Sequence, residues 1–278
     1  MEANFDYLVR FVNEHGVIKY GNLPYFKDDA VGSQAEVLTG DPIAGFFKTG
    51  RTEKIHKLLC PLASTPIIQC IGINYHKHAH ETNFSVPSQP VVFTKPSDSM
   101  TGPFNDIYVH PDAREQLDYE GELCFVFGKD CKDPTEEEAL SYILAYATGN
   151  DVSARNYIPQ EVSGFQMGYG KSFDDFGPLG PYLVSPAIVG DPHRLKLVTK
   201  VNGEVRQDAN TSDMIWSIRQ IIVHLARGRT VRAGTVVMTG TPSGVGWFMN
   251  PTGYVKEGDI MEVTIEKLGT MRNRIVFS

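Results

Sequence analysis

The chain is expected to be mainly β with a few helices, an α+β arrangement, and three observations lead there. Short apolar segments separated by glycines and prolines recur along most of its 278 residues. Asn202-Gly203, between residues 195–201 and Glu204-Val205, suits the positive φ angles of a two-residue hairpin turn. Strands do not alternate regularly with helices, which argues against a doubly wound parallel sheet.

Taken in order, residues 7–12, the turn Glu14-His15-Gly16 and residues 17–20 predict an opening hairpin. Glycines and prolines punctuate residues 21–65, so a boundary is placed near residue 65, after a small N-terminal β-rich domain (1–65) and before a catalytic domain (66–278). Residues 123–127 are continuously apolar, as in a strand covered on both faces. Thr135-Glu136-Glu137-Glu138 is a capping box, and Ala139, Leu140, Ile143, Leu144 and Ala147 keep helical spacing after it. A second helix is expected over residues 212–227, with Ile218, Ile221, Ile222 and Leu225 on one face and Gly228 as its stop. Residues 235–238 read as a strand running into the glycine turn 239–246.

A hydrophobic content of 41% is ample for a core. The formal charge of -7 is not segregated, since residues 1–65 carry 7 basic and 8 acidic side chains and the rest 19 and 25; no basic face for nucleic acid is expected. Cys60, Cys70, Cys124 and Cys131 have no Cys-x-x-Cys spacing and read as reduced packing thiols. The N-terminus has neither a basic region nor an apolar core of signal-peptide length, and no apolar run is long enough to span a membrane. The expectation is a soluble cytoplasmic protein without mitochondrial import, a nucleic-acid partner or a membrane partner.

The chemistry is concentrated in acids. Side chains two apart on a strand share a face, so Glu120 and Glu122 can reach one ion together, and Asp151 supplies a third carboxylate. The competing reading is the wet face of a half-buried strand, but the apolar run that follows makes unpaired acids costly there. Dinucleotide, phosphate-loop, zinc-protease and nucleophile-elbow motifs are absent. His78 and Glu81 are neighbours if they lie on a helical turn, a pairing suited to activating water. Zinc on His76, His78 and His80 is the weaker use of that segment. Lys95 and Lys171 interrupt apolar stretches and could balance an anionic substrate beside a metal, while the amides and Thr241 of the 239–246 turn could bind an oxygen-rich ligand.

Together these residues resemble the fumarylacetoacetate hydrolase family from about residue 67 to 278. The likeness rests on Gly72-x-Asn74-Tyr75-x-x-His78-x-x-Glu81, Thr94-Lys95-Pro96, Asp118-Tyr119-Glu120-x-Glu122-Leu123, Asn150-Asp151-Val152-Ser153-Ala154-Arg155, Gly170-Lys171-Ser172-Phe173-Asp174, Val201-Asn202-Gly203-Glu204 and the turn from Thr239 to Gly246. The resemblance implies a mixed β-sandwich roll, a homodimer, and Mg2+ or Mn2+ on Glu120, Glu122 and Asp151. It further implies catalysis by His78, Glu81 and Lys171, the first two on a mobile lid, and contacts to a small anionic 2-oxo acid from Lys95, Arg155, Thr241, Tyr75 and Gln166. Lys77 and Asn156 stand where family members often have Asp, and residues 157–169 are a variable stretch.

The implied activity is carbon-carbon bond hydrolysis of an acylpyruvate, or decarboxylation of a 2-oxo acid, through a metal-bound enolate. Oxaloacetate keto-enol tautomerisation is the alternative, to which Asp191-Pro192-His193 points. A calcium-dependent binding module is the alternative from another class, and it gives no reason for Lys95 and Lys171 to converge on the ion. A larger hydrophobic substrate could be lined by Phe165, Met167, Tyr169, Trp247 and Phe248.

Overall fold

The opening hairpin forms as expected: β1 (Tyr7–Asn13) and β2 (Ile18–Leu23) pair antiparallel around Gly16, whose φ is +77°. The Asn13 carboxamide oxygen closes the turn by accepting from the His15 and Val17 amides. The structure, a computed structural model, describes residues 5–83 and 85–278; residues 1–4, on which part of the N-terminal reading rests, and Phe84 lie outside the described residues.

The remaining strands are β3 (Gln34–Asp41), β4 (Gly45–Leu59), β5 (Ile68–Gly72), β6 (Val91–Lys95), β7 (Met100–Thr101), β8 (Ile107–Val109) and β9 (Leu117–Asp118). They continue as β10 (Gly121–Phe127), β11 (Ile143–Asn150), β12 (Ser153–Ala154), β13 (Gly177–Val184), β14 (Lys196–Val201), β15 (Glu204–Asn210), β16 (Val236–Met238), β17 (Ile260–Ile265) and β18 (Gly269–Phe277). Among the described residues, eleven strands make one mixed sheet in the order β2-β3-β4-β1-β13-β11-β10-β16-β5-β6, with β7 on β13. The N-terminal ribbon joins it where Tyr7 pairs with Val184 and Leu8 with Leu183. A second sheet, β15-β14-β17-β18-β8, packs against β10, β11 and β13. Asn202 and Gly203 take φ of +52° and +81° between β14 and β15, as the hairpin signal requires. The architecture is mainly β with short helices.

Every residue of β10 and β11 is buried. The alternation of side chains sends Leu123, Phe125 and Phe127 into one apolar cluster, while Cys124 and Val126 enter a second with Cys70 and Met238. Glu122 precedes Cys124 on that second face, so the strand delivers an acid to the end of a dry layer.

Both helices are shorter than the sequence predicts. The capping box forms, with Thr135 Oγ1 accepting from the Glu138 amide and Glu138 accepting from the Thr135 amide, but the helix it opens lasts one turn, Glu136–Ala139. Ile143, Leu144 and Ala147 belong instead to β11, because a strand buried on both faces mimics any apolar spacing. The second helix begins at Ile218, not near Ser212. Asn74 takes the two amides before it, its backbone oxygen accepting from Ile215 and its Oδ1 from Trp216, and Ser217 caps the start. It ends at Ala226 before Gly228, whose φ is +69°. Among the described residues no helix is long and apolar enough to cross a membrane.

Candidate metal centre and active site

Pairing of Gly121 with Asn150 between β10 and β11, extended by the Asp151 amide donating to the Glu120 carbonyl at 2.9 Å, brings the three predicted carboxylates together. Glu120, Glu122 and Asp151 are all buried and each offers an oxygen within 4.8 Å of the others. Three cations surround them. Lys171 Nζ donates to Glu120 Oε2 at 2.8 Å, Asp151 Oδ2 at 2.7 Å and Ser153 Oγ at 2.8 Å. Lys95 Nζ lies 2.5 Å from Asp151 Oδ1 and donates to the Val152 and Phe176 carbonyls. Arg155 sits 2.6 Å from Glu120 Oε1 through its terminal nitrogen and donates from Nε to Asp118 Oδ2 at 2.8 Å.

The charges are not balanced within the protein. Burial alone would raise Glu120, but Lys171 and Arg155 outweigh it and hold the carboxyl down at about 2. Glu122 is pushed well above the ordinary range, first by burial and then by the charges of Asp151 and Glu120. Among the described residues Glu122 has no ion-pair partner, and its carboxylate accepts one backbone amide, from Gly240 at 2.7 Å. Asp151 Oδ1 is buried with the Lys95 ammonium 2.5 Å away as its neighbour. A buried carboxylate as poorly compensated as Glu122 costs several kcal/mol. An all-oxygen donor set of three converging carboxylates, one of them without a cation against it, fits a hard divalent cation, magnesium or manganese in preference to zinc. The nearby Cys70 and Cys124 thiols are pushed well up, chiefly by burial, and all four cysteines are free.

A cavity of about 440 Å³ opens beside the acids, with His78, Glu120, Arg155, Lys171 and Thr241 on its wall. His78 and Glu81 lie on the helix His76–Thr82, with His78 Nδ1 2.8 Å from Glu81 Oε2. The other Glu81 oxygen accepts the Gly244 amide at 2.9 Å, which ties this helix to the glycine turn. Glycine is required at two points of that turn. Gly240 has φ of +99° and a Cβ there would meet Asn74 Cβ at 2.7 Å; Gly244 has φ of +102° and a Cβ there would meet the Arg206 carbonyl at 2.1 Å. Thr241 Oγ1 donates to the Gly121 carbonyl and accepts from Gln207 Nε2, so it fastens the turn to β10.

Three predicted substrate contacts lie elsewhere. Tyr75 is fully buried in the apolar core, pinned by a bridge to Met214, and does not line the cavity. Gln166 is exposed, because positive φ at Gly164 and Phe165 turns the chain so that Phe165 and Met167 form the wall on either side of it. Lys95 stands behind Asp151, away from the cavity. His76 and His80 are exposed and gather no ligand partner, and among the described residues the acidic trio is the one group spaced to hold a metal. Lys77 donates its amide to Asp213, and Asn156 donates its side-chain amide to the Asp112 carbonyl. Sequence reasoning gave Asp118 and Ser153 no role. Asp118 accepts from Arg155 and from the Tyr119, Gly246 and Trp247 amides, and its signal was present in the two-residue spacing of 118, 120 and 122, although Asp118 closes β9, which pairs with β12, and β10 begins only at Gly121.

Residues 67–276 match the family model of the fumarylacetoacetate hydrolase C-terminal domain. The chain is 39% identical over 219 residues to a Xenopus laevis protein named oxaloacetate tautomerase fahd2, mitochondrial, covering 79% of this chain and 68% of that one. Its structure superposes on 2-hydroxyhepta-2,4-diene-1,7-dioate isomerase from Mycobacterium marinum with a TM-score of 0.84 and 32% identity, over 98% and 99% of the two chains. Fumarylpyruvate hydrolase from Pseudomonas aeruginosa, solved in complex with Mn2+ and pyruvate, superposes with a TM-score of 0.69 and 30% identity, over 77% of this chain and 91% of that one. The chain is therefore an enzyme of the fumarylacetoacetate hydrolase family, with that family's C-terminal domain occupying residues 67–276.

Proposed function

We propose that this enzyme depends on a divalent metal and acts on 2-oxo acids, with hydrolysis of an acylpyruvate carbon-carbon bond as its reaction. The observation that carries this reading is the placement of His78, bonded to Glu81, on the wall of the cavity that Glu120 also faces. Glu120, Glu122 and Asp151 would hold Mg2+ or Mn2+, and a solved relative with this fold contains Mn2+ together with pyruvate. When bound, the ion supplies Lewis acidity toward the carboxylate and 2-oxo oxygens of the substrate.

The chain's own groups supply the proton chemistry. Glu81 accepts the Nδ1 proton of His78, which leaves Nε2 free to act as base. His78 takes a proton from water as its oxygen bonds to the distal acyl carbon. The bond from that carbon to the methylene then breaks, its electron pair passing to the pyruvate fragment, which takes up a proton. The products are a carboxylic acid and pyruvate. Lys171, through three hydrogen bonds, holds Glu120 and Asp151 in place, and Arg155, lying over the Trp247 ring at 5.3 Å, closes one side.

Oxaloacetate tautomerisation is the second reading, favoured by the 39% identity to a protein named for that activity. It needs proton transfer by His78 and no attack by water. Assay of acetylpyruvate, fumarylpyruvate and both oxaloacetate tautomers with Mg2+ and Mn2+, with Glu120→Ala as the inactive control, separates the two. Release of pyruvate from acylpyruvates, reduced about 100-fold or more in His78→Ala, is the expected result. Tautomer exchange without acylpyruvate cleavage transfers the conclusion to the second reading, and undiminished hydrolysis in His78→Ala removes His78 as the base.

A further inference from the structure

The cations around the acidic trio have little left to offer a substrate. An ammonium has three N–H donors, and Lys171 spends all of them on Glu120, Asp151 and Ser153. Lys95 does not reach the cavity. Arg155 keeps unspent donors after Asp118 and Glu120 are served, and it lies on the wall 2.6 Å from Glu120, so the anionic group it can meet is the one at the end of the substrate next to the acids. Beyond it the wall is formed by Val91, Phe93, Ile158, Met167, Trp247 and Phe248. Of the other polar side chains on the wall, Thr82, Ser85 and Thr241 are neutral, and His78 is bonded through Nδ1 to Glu81.

The aromatic rings also cover the charges that are present. Phe93 lies 5.1 Å from Lys171 Nζ, Trp247 lies 5.3 Å from the Arg155 guanidinium, and Phe248 packs edge-on to His78 with centroids 6.1 Å apart. A second carboxylate at the far end of the substrate would give up part of its hydration against this apolar wall with no cation to receive it. An apolar group would bury its surface at no such cost. The volume of about 440 Å³ also lies in the range of sites for sizeable organic ligands.

We infer that the substrate is a monoanionic 2-oxo acid whose distal end is uncharged and apolar, aromatic or branched. This rests on the 2-oxo acid reading of the site and goes past it, because it separates this chain from enzymes acting on diacids such as fumarylpyruvate or oxaloacetate. The test is binding, so that it reads independently of turnover. Phenylpyruvate and 2-oxoglutarate, which differ in carrying a phenyl or a carboxylate at the far end and have no distal carbonyl to hydrolyse, are titrated calorimetrically into the Mn2+-loaded enzyme.

Phenylpyruvate is expected to bind about tenfold tighter or more. Phe165→Arg places a cation on the cavity wall at a position 54% exposed, away from the core, and is expected to raise the affinity for 2-oxoglutarate about tenfold. Equal or tighter binding of 2-oxoglutarate to the wild type overturns the inference, as does Phe165→Arg leaving the ratio unchanged. A reversed ratio with acylpyruvate cleavage intact sinks the inference alone. The expected ratio without any cleavage sinks the hydrolytic reading alone, and binding of neither acid sinks both.

Discussion

Replacing Asp118 by asparagine tests whether the arginine beside the acidic trio is held by a buried clamp. Asp118 is inaccessible to solvent, and four donors converge on it: Arg155 Nε at 2.8 Å and the Tyr119, Gly246 and Trp247 amides at 2.9, 2.8 and 3.1 Å. Oδ1 serves Tyr119 and Gly246, and Oδ2 serves Arg155 and Trp247. Asparagine keeps one acceptor oxygen, so two of the four bonds are lost and an amide N–H is turned against the remaining donors. Breaking a buried ion pair outright costs about 3–5 kcal/mol. Because Glu120 stays 2.6 Å from Arg155, the loss should be somewhat smaller, about 2–4 kcal/mol. For a chain of this size that lowers the melting temperature by roughly 4–8 °C. The assay is thermal unfolding followed by circular dichroism, alongside Asp106→Asn, which breaks the exposed pair with Arg274 and should shift the curve within error. Equal shifts for the two variants would refute the argument that burial makes the Asp118 pair matter.

Gly244→Ala puts a side chain where φ is +102° and the Arg206 carbonyl leaves no room, so it should cost at least about 1–2 kcal/mol and lower kcat by displacing the amide that holds Glu81. Unchanged melting and turnover would show that the turn does not position Glu81. His193 Nε2 accepts the Ile218 amide at the start of the second long helix, and burial, only partly opposed by Asp191, lowers its pKa below the ordinary histidine value. The unfolded chain therefore binds the proton more readily: the contribution is present above about pH 6.5 and is lost as pH falls from there through the folded value. Urea denaturation between pH 7.5 and 5 should show this loss in the wild type and a smaller one in His193→Asn; parallel curves would exclude His193 as the cause.

The acidic trio was legible because it needs little tertiary information: two acids two apart, ahead of a strand too apolar to be wet, can hardly be neutral packing. The pairing of His78 with Glu81 followed from helical spacing alone. Asp118 was overlooked although it shares the parity of Glu120 and Glu122, because its partners, the Gly246 and Trp247 amides, are more than a hundred residues away. The lysines show the limit of charge counting. Lys95 and Lys171 do converge on the trio, which a calcium-dependent binding module gave no reason to expect, yet neither keeps a donor for substrate, and that depends on where the Val152, Phe176 and Ser153 oxygens fall. The overextended helix after Thr135 has a different origin, since β11 is covered on both faces and carries no polar stripe to reveal its period.

Isothermal titration of Mn2+ into the metal-free enzyme, paired with melting curves, addresses the central claim most directly. One ion per chain should bind and raise the melting temperature, with Glu122→Gln lowering the affinity by about tenfold or more. That variant should also melt no lower than the wild type when metal is absent, since it removes a buried carboxyl that burial and the neighbouring acids disfavour in its charged form and that has no ion-pair partner among the described residues. Absence of binding, or binding that Glu122→Gln and Glu120→Ala leave untouched, would contradict a metal site built on Glu120, Glu122 and Asp151.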